Sequence, residues 1–546
     1  MSCDIAMSSD SLLSAVNPST QPTHLLRQAR PAERGAHSPA LADRARRRGD
    51  ALLPIALLLT ICLPALTYRL GVYPRPWFDE GYRTNAARTL VFTGVFGTST
   101  SNGLLPYDTG ISTGPADILP LALSYRLLGP GIVQARVVSV AYSVLAVVAL
   151  YAVARRLYGR TAGLFSVLFV LVFPPIQGVS LLLIGRQVMG EPAALALVSL
   201  GIWLWVGSWL HRNIWMAVAS GLCFGLGLLS KTQVIFGLLP ALMAIALLRS
   251  RGGKGWLGSN LPWIILLLVV AGWAVWSGLD SPADIRLRNS QMLAEAVRTQ
   301  LLTDQWGQAL DRPALAISLL MMLAALAETG RLFRRRRERG FPTDADWGSG
   351  LLVLFVLFSC VWFALFSIGW PRYATVGFIF ALLLLGRFVW SAVRYLASRL
   401  GANRAGGANR MEITGIALLA LLALPINLAP IHQYQPTTDP QAAADFVSAN
   451  IPRDAVVESW TWELDALTDH WQFHHPDLSY LYLAERQALH DGGAFSLGYD
   501  TLQADPDFLI SGPFSQWVSL YDPVVIRDSF QRVAAFGQYV IFERNR

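Results

Sequence analysis

From position 51 to position 430 the chain alternates between long apolar stretches and shorter polar segments. The eleven apolar stretches cover roughly residues 51 to 69, 132 to 154, 161 to 179, 191 to 210, 214 to 230, 233 to 248, 260 to 279, 313 to 330, 349 to 367, 374 to 393 and 412 to 430. About 20 helical residues cross the hydrocarbon of a bilayer, so the pattern predicts a polytopic α-helical membrane protein. The boundaries after residues 179 and 230 are the least sharply marked. Before the first stretch, residues 1 to 50 are polar, rich in Ser, Pro, Ala and Arg, and lack hydrophobic periodicity, which predicts a disordered tail. A basic lead-in before an apolar run also describes a signal peptide. Its length, and the lack of a small-residue cleavage site before Tyr68, point instead to an uncleaved first helix.

After residue 431 the period changes. DPQAAADFVSANIP reads as a helix, while AVVES, DFLIS and QYVIFE read as short strands between turn residues. Residues 431 to 546 are therefore expected to form a small soluble α/β domain. Two further segments outside the spanning helices are long enough to carry chemistry, the first loop (70 to 131) and the loop from Asp280 to Arg312. The first loop mixes Tyr73, Trp77, Phe92 and Phe96 with polar residues, which predicts interfacial helices lying flat on the bilayer. SPADIRLRNSQMLAEAVRTQLL reads as one amphipathic surface helix.

Composition agrees with a bilayer location: 53% of residues are apolar, 15% are charged, and the mean hydropathy is +0.42. The net charge of +8 resides in arginine clusters: Arg44 to Arg48, Arg155 to Arg160, Arg249 to Lys254, Arg334 to Arg337 and Arg394 to Arg410. These occupy every second loop, so they assign those loops and the N-terminus to the cytoplasm. The first loop and the C-terminal domain then lie outside, in a bacterial inner (plasma) membrane. The charge is thus a topology signal, and no nucleic-acid partner is expected. Cys3, Cys62, Cys223 and Cys360 fall in the tail or in helices, so the external segments have no disulfide framework.

Asp79 and Glu80 stand side by side in WFDEGYRT, just past the first apolar stretch. A carboxylate at a bilayer centre costs about 2.5–3.5 kcal/mol or more, so a pair immediately outside it, among Trp77, Phe78 and Tyr82, suggests chemistry at the membrane surface. Capping of a helix N-terminus would place acidic residues there equally well. Neither GxxxxGK[ST] nor a GxGxxG after a strand is present. An outward-facing enzyme lacks nucleotides in any case, and an activated substrate must reach it on a carrier that crosses the membrane. A polyprenyl-phosphate sugar meets that need. Its phosphate leaving group requires cations and little protonation, so one carboxylate acting as base on an acceptor hydroxyl suffices.

WFDEGYRT, STGPADILPLALSYRLLG, the run from ARVVSVAYSV to LVFPP, GRQVMGEPAALAL, GLCFGLGLLSKTQ and WPRYATVGFIFALLLL, in that order, resemble the GT-C glycosyltransferases. The group concerned is that of protein mannosyltransferases and lipid A aminoarabinose transferases, and the resemblance spans residues 51 to 430. It implies a glycosyltransferase domain at 51–430 that moves a monosaccharide from a polyprenyl-phosphate donor to an acceptor hydroxyl with inversion. It implies Asp79 as catalytic base and Glu80 as the adjacent acid that helps set the acceptor. Arg186, Glu191, Lys231, Arg372 and Tyr373 are implied in the donor pocket, Arg372 through the fork geometry that holds two phosphate oxygens. Many relatives carry Lys-Pro-Pro where this chain has Thr113, Gly114 and Pro115, so Arg186, Lys231 or Arg372 would take the place of that lysine. The expected partners are membrane lipid, the lipid-linked donor and a glycan, lipid or protein acceptor; no cofactor beyond the donor is assigned, and a divalent metal is left open.

Lys231 at a helix end also fits a snorkelling lysine, Arg372 beside Trp370 an interface anchor, and Glu191 a helix N-terminal charge. His470, His474 and His475, with Asp469 and Asp477, resemble metal ligands, but Pro476 and the turn residues around them predict a surface loop. A transporter or flippase of a lipid-linked sugar fits the same composition. It would show paired internal repeats or broken midplane helices, which the pattern does not clearly contain.

Overall fold

The computed structural model describes residues 39–545 except 102, 109–113, 175, 177, 252–254, 302–311, 400–406, 469–472 and 485–496. Residues 1–38 of the expected tail, together with Thr113, Asp469 and His470, lie outside the described residues. Two compact units divide the chain, Met1–Leu52 and Leu53–Arg546. In chain order the first helices are α1 (Pro39–Thr67), α2 (Phe78–Thr93), α3 (Pro115–Leu128), α4 (Ile132–Tyr158), α5 (Arg160–Val172), α6 (Leu181–Ile184) and α7 (Gly190–His211). There follow α8 (Ile214–Ser230), α9 (Ile235–Arg251), α10 (Trp256–Leu279), α11 (Ala283–Gln300), α12 (Arg312–Arg339), α13 (Asp344–Leu365), α14 (Pro371–Arg399), α15 (Gly407–Gln433) and α16 (Asp439–Asn450). Residues 39–50, expected to be disordered, belong to α1.

Among the described residues, eight helices are long and apolar enough to cross a membrane, and three shorter apolar ones are Leu52–Thr67, Arg160–Val172 and Ile214–Ser230. Each predicted stretch coincides with one of these. The stretch at 161 to 179 is cut short because α5 ends at Val172, in front of Pro174. The bundle core runs through α4, α5, α7, α9, α13 and α14 and is filled by Leu, Val, Ile and Phe. On the outside, Leu268, Val275 and Trp276 of α10 and Leu418 and Leu421 of α15 are exposed. So large an apolar outer surface matches lipid and not water. The chain is an integral, multi-pass membrane protein.

At one end of the bundle the arginine clusters find partners. Arg249 reaches Asp344 at 3.0 Å and stacks over Trp209 at 4.0 Å, while Arg335 reaches Asp346 at 3.4 Å and the neighbouring Arg331 pairs with Glu328. The opposite end carries α2, α3, α11 and the C-terminal sheet. After the antiparallel first-loop pair β1 (Gly97–Thr100) and β2 (Gly103–Pro106), the C-terminal sheet has strands β3 (Val457–Ser459), β4 (Phe508–Ser511), β5 (Phe530–Phe536) and β6 (Tyr539–Arg544), in the order β3-β4-β6-β5. The β3/β4 pair is parallel and the other two pairs are antiparallel. The predicted AVVES, DFLIS and QYVIFE runs are β3, β4 and β6. The fourth strand, β5, interrupted by a bulge between Arg532 and Ala534, does not alternate cleanly and is missing from the sequence reading.

The first loop departs from expectation. Most of α2, including Arg83, Asn85 and Arg88, is buried, so it does not lie flat on a surface. Its polar side chains find partners in and just after the 3-10 turn Trp462–Ala466: Arg88 donates to the carbonyls of Asp465 at 2.8 Å and Thr468 at 3.1 Å, and Asn85 donates to the Asp465 carboxylate at 3.2 Å. Phe78 packs against Trp460 and Phe514, and Tyr82 against Trp462. The approach is close enough to require glycine at position 81, where a Cβ would stand 1.8 Å from the Trp462 carbonyl oxygen. Backbone cannot rotate aside. Gly81→Ala should therefore destabilise the protein by about 1–3 kcal/mol through overpacking, read as a lower unfolding midpoint in detergent. An unchanged midpoint would mean that the turn is free to move away from α2.

Candidate active site

Asp79 sits in the first turn of α2, where the helix dipole favours a negative charge, and its carboxylate is ion-paired with Arg372. Arg372 enters from the start of α14, with its guanidinium over the rings of Trp370 (5.1 Å) and Tyr373 (5.4 Å). Beside this pair, Glu191 in the first turn of α7 meets Lys231, which closes α8, at 2.7 Å. Lys231 also lies 5.2 Å from the Tyr373 ring centre. The two helix ends meet because position 190 is glycine: a Cβ there would fall 2.0 Å from the Ser230 carbonyl oxygen. A single cavity of about 440 Å³ brings Asp79, Glu191, Lys231, Arg372 and Tyr373 together. That volume lies in the usual range for small-molecule sites.

Two predicted residues are elsewhere. Glu80 is fully buried and faces α4, where Arg136 holds it with Nε to Oε1 at 2.9 Å and Nη2 to Oε2 at 2.7 Å. The Val188 amide donates to Oε1 at 2.9 Å. Arg186 is also fully buried, and its guanidinium donates to the carbonyls of Ala65 (2.5 Å), Tyr68 (2.6 Å) and Tyr73 (2.9 Å), tying down the end of α1 and the chain after it. Neither residue lines the cavity; both hold the frame that presents α2.

The sequence reading assigned no role to Arg83 or Asp117. Arg83 lines the cavity, is ion-paired with Asp117 of α3, and is almost wholly buried. Burial lowers its pKa, while the nearby carboxylates of Glu191 and Asp79 act to raise it. The signal was there to find. Position 83 follows Asp79 by four residues, which puts both side chains on one face of α2. The opposite wall of the cavity is aromatic: Phe96 and Tyr107 stack with ring centres 5.6 Å apart, and Trp273 of α10 meets them edge-on at 5.1 and 5.7 Å. Helix α11 confirms the predicted amphipathic run and supplies Arg286, Asn289 and Leu293 to the mouth, beside Leu481 and Tyr482 of the C-terminal region.

The expected histidine loop is corrected. His474 and His475 are buried: His474 pairs with Glu458, and His475 reaches Asp465 at 2.9 Å and stacks on Trp462 at 3.7 Å. They are absorbed by partners inside the C-terminal fold because β3 and the 3-10 turn bring acidic residues to them. Among the described residues no group of three or more His, Cys, Asp or Glu is placed to hold a metal ion. Next to these histidines, Glu463 is buried, accepts a hydrogen bond from the Tyr539 hydroxyl at 2.8 Å, and has its pKa raised by burial to about 7. A raised carboxyl pKa contributes stability that is fully present below the unfolded value and is lost as pH rises through about 7. Glu463→Gln should flatten stability between pH 5 and 8 and stabilise the protein at pH 8 by roughly 3 kcal/mol, measured as unfolding midpoints across pH. A mutant profile that follows the wild type would place the titration elsewhere.

Helices gathered around a cavity under a buried first-loop helix, with a small C-terminal sheet at the same end, form a fold that this chain shares with solved glycosyltransferases of the GT-C type. The family model for dolichyl-phosphate-mannose-protein mannosyltransferase matches residues 115–277. Among solved structures, ArnT from Cupriavidus metallidurans bound to undecaprenyl phosphate aligns with TM-score 0.62 at 15% identity, over 90% of this chain and 98% of that one. The archaeal oligosaccharyltransferase AglB from Archaeoglobus fulgidus, in complex with an inhibitory peptide and a dolichol-phosphate, aligns with TM-score 0.54 at 11% identity, over 92% and 75%. No curated protein matches the chain in sequence.

Proposed function

We propose that this chain is a membrane glycosyltransferase that moves a monosaccharide from a polyprenyl-phosphate donor to an acceptor hydroxyl on the outer face of a bacterial plasma membrane. The observation that carries the reading is one cavity with a first-turn carboxylate, Asp79, on the same wall as Arg372, Lys231 and Arg83. A sugar phosphate needs both kinds of group: cations to hold the leaving phosphate, and a base for the incoming hydroxyl. The fold shared with ArnT, whose structure holds undecaprenyl phosphate, supports a lipid-linked donor. The gathering of arginines at the far end of the bundle supports a cytoplasmic location for that end and an external one for the cavity and the C-terminal sheet.

The isoprenoid chain would lie along α10, whose spanning window is only 11% buried, with the phosphate at Arg372 and Lys231 and the sugar toward the aromatic wall of Phe96, Tyr107 and Trp273. Asp79 would take the proton of the acceptor hydroxyl as that oxygen attacks the anomeric carbon from the face opposite the phosphate, which inverts the centre. Purified protein in vesicles with labelled polyprenyl-phosphate sugars tests this. Label should leave the lipid for an acceptor or for water; intact labelled lipid appearing in the other leaflet with no cleavage would make the protein a flippase.

A further inference from the structure

Three cations of the inner wall are each held by a carboxylate, while Arg286 at the mouth donates to the Gly278 carbonyl at 3.1 Å. Arg83 pairs with Asp117, Lys231 with Glu191, and Arg372 with Asp79. A phosphodiester brings one more negative charge and a phosphate monoester up to two, into a wall where extra charge is costly unless a cation is released to meet it. A phosphate seated at this wall therefore requires one carboxylate to give up its cation. The pairs are not equally able to do so. The side chains of Arg83 and Asp117 are 2% and 4% exposed and those of Lys231 and Glu191 are 9% and 2% exposed, whereas Arg372 is 19% exposed and Asp79 9%. Arg372 also stands at a helix start on a long flexible stem, and its planar fork suits two phosphate oxygens.

Resting on the glycosyltransferase reading, we infer that Asp79 and the lipid phosphate compete for the same guanidinium, so that arrival of the donor on Arg372 is the event that frees the base. Without donor, Asp79 is held by Arg372 and is not presented to a hydroxyl. With donor, the phosphate takes the guanidinium, and Asp79 turns to the acceptor among Arg83 of its own helix, Glu191 of α7 and Lys231 at the end of α8.

The transfer step conserves charge around this exchange. The acceptor oxygen bonds to the anomeric carbon, the carbon–oxygen bond to phosphate breaks with its electron pair left on the phosphate, and the hydroxyl proton passes to Asp79. One negative charge on the donor and one on Asp79 become two on the product phosphate and none on Asp79. The neutral acid no longer competes, and the dianion keeps Arg372. Loss of the proton to water restores the carboxylate, which reclaims Arg372 and displaces the product.

The test is the affinity of the full-length chain in nanodiscs for undecaprenyl phosphate, with undecaprenol as the phosphate-free control. Asp79→Asn, which removes the competitor, should bind the phosphate at least tenfold more tightly than wild type, with undecaprenol binding unchanged. Arg372→Gln should weaken phosphate binding, and the double variant should match Arg372→Gln, since the gain requires the guanidinium. Asp79→Ser gives the same comparison if the asparagine variant does not accumulate. Equal or weaker phosphate binding by both Asp79 variants, or a gain that survives Arg372→Gln, overturns the exchange. The two readings fail separately: a tenfold gain in a protein that never cleaves donor leaves the exchange and removes the transferase, while transfer by wild type with no gain removes the exchange alone.

Discussion

Asp79→Asn is expected to lower kcat for sugar transfer by about 10³-fold in a protein that still folds. A positioned general base contributes about 10²–10⁴-fold, and asparagine keeps the shape of the side chain while losing its ability to take a proton. The fold should tolerate the change because asparagine keeps an acceptor oxygen for the Arg372 guanidinium, which is the most exposed of the three cations paired at the cavity. Initial rates with a labelled donor, alongside unfolding midpoints, read both effects. Transfer within threefold of wild type would remove Asp79 from the chemistry. Glu80→Gln is the matched comparison, because the neighbouring carboxylate points to Arg136 and away from the cavity. Its transfer rate should stay within about tenfold of wild type, since no proton transfer in the mechanism passes through it.

Arg136→Leu should be the most damaging change to the fold. The guanidinium makes two hydrogen bonds to Glu80 and donates to the carbonyls of Leu70 (2.7 Å) and Pro74 (2.8 Å), and both Arg136 and Glu80 are fully buried. Leucine would leave Glu80 as a buried charge with only the Val188 amide to meet it. Breaking one side of such a pair costs about 3–5 kcal/mol, a large share of the stability of a typical domain. The expected result is loss of folded protein on size exclusion. Arg136→Leu combined with Glu80→Leu should recover part of it, because two apolar residues leave no unpaired charge. If Arg136→Leu alone retains the wild-type midpoint, the pair does not anchor α2.

What could be read beforehand divides by range of interaction. The spanning helices were legible because a bilayer imposes length and apolarity on each segment separately, and all eleven stretches recur as apolar helices. α11 and α16 were legible for the same reason: their periodicity lies within one element. The burial of α2 was not, because its cover, Trp460, Trp462 and Phe514, comes from the far C-terminal part of the chain. The partners of His474 and His475 were hidden in the same way, since Glu458 and Asp465 reach them only once β3 and the turn have formed.

The site shows the same division. Asp79, Glu191, Lys231 and Arg372 were named from short motifs, and the fold brings them to one wall. Glu80 and Arg186 carry the same motif signal, yet their side chains turn toward Arg136 and toward the backbone after α1. Adjacent residues on a helix point about 100° apart, so DE in sequence gives two carboxylates and no statement of which faces a pocket. Phe96, Tyr107 and Trp273 went unread because single aromatics near a membrane boundary are ordinary, and only their convergence is informative.

The flank of α10 that stays uncovered has a kinetic meaning. On the proposed reading, a carrier lipid diffusing in the leaflet can slide in sideways past Val270 and Trp273, with no step through water. Saturation would then follow the mole fraction of carrier among its neighbouring lipids and be indifferent to how many vesicles share the tube. Diluting the bilayer with bulk phospholipid should slow the enzyme, whereas diluting the suspension with buffer should not.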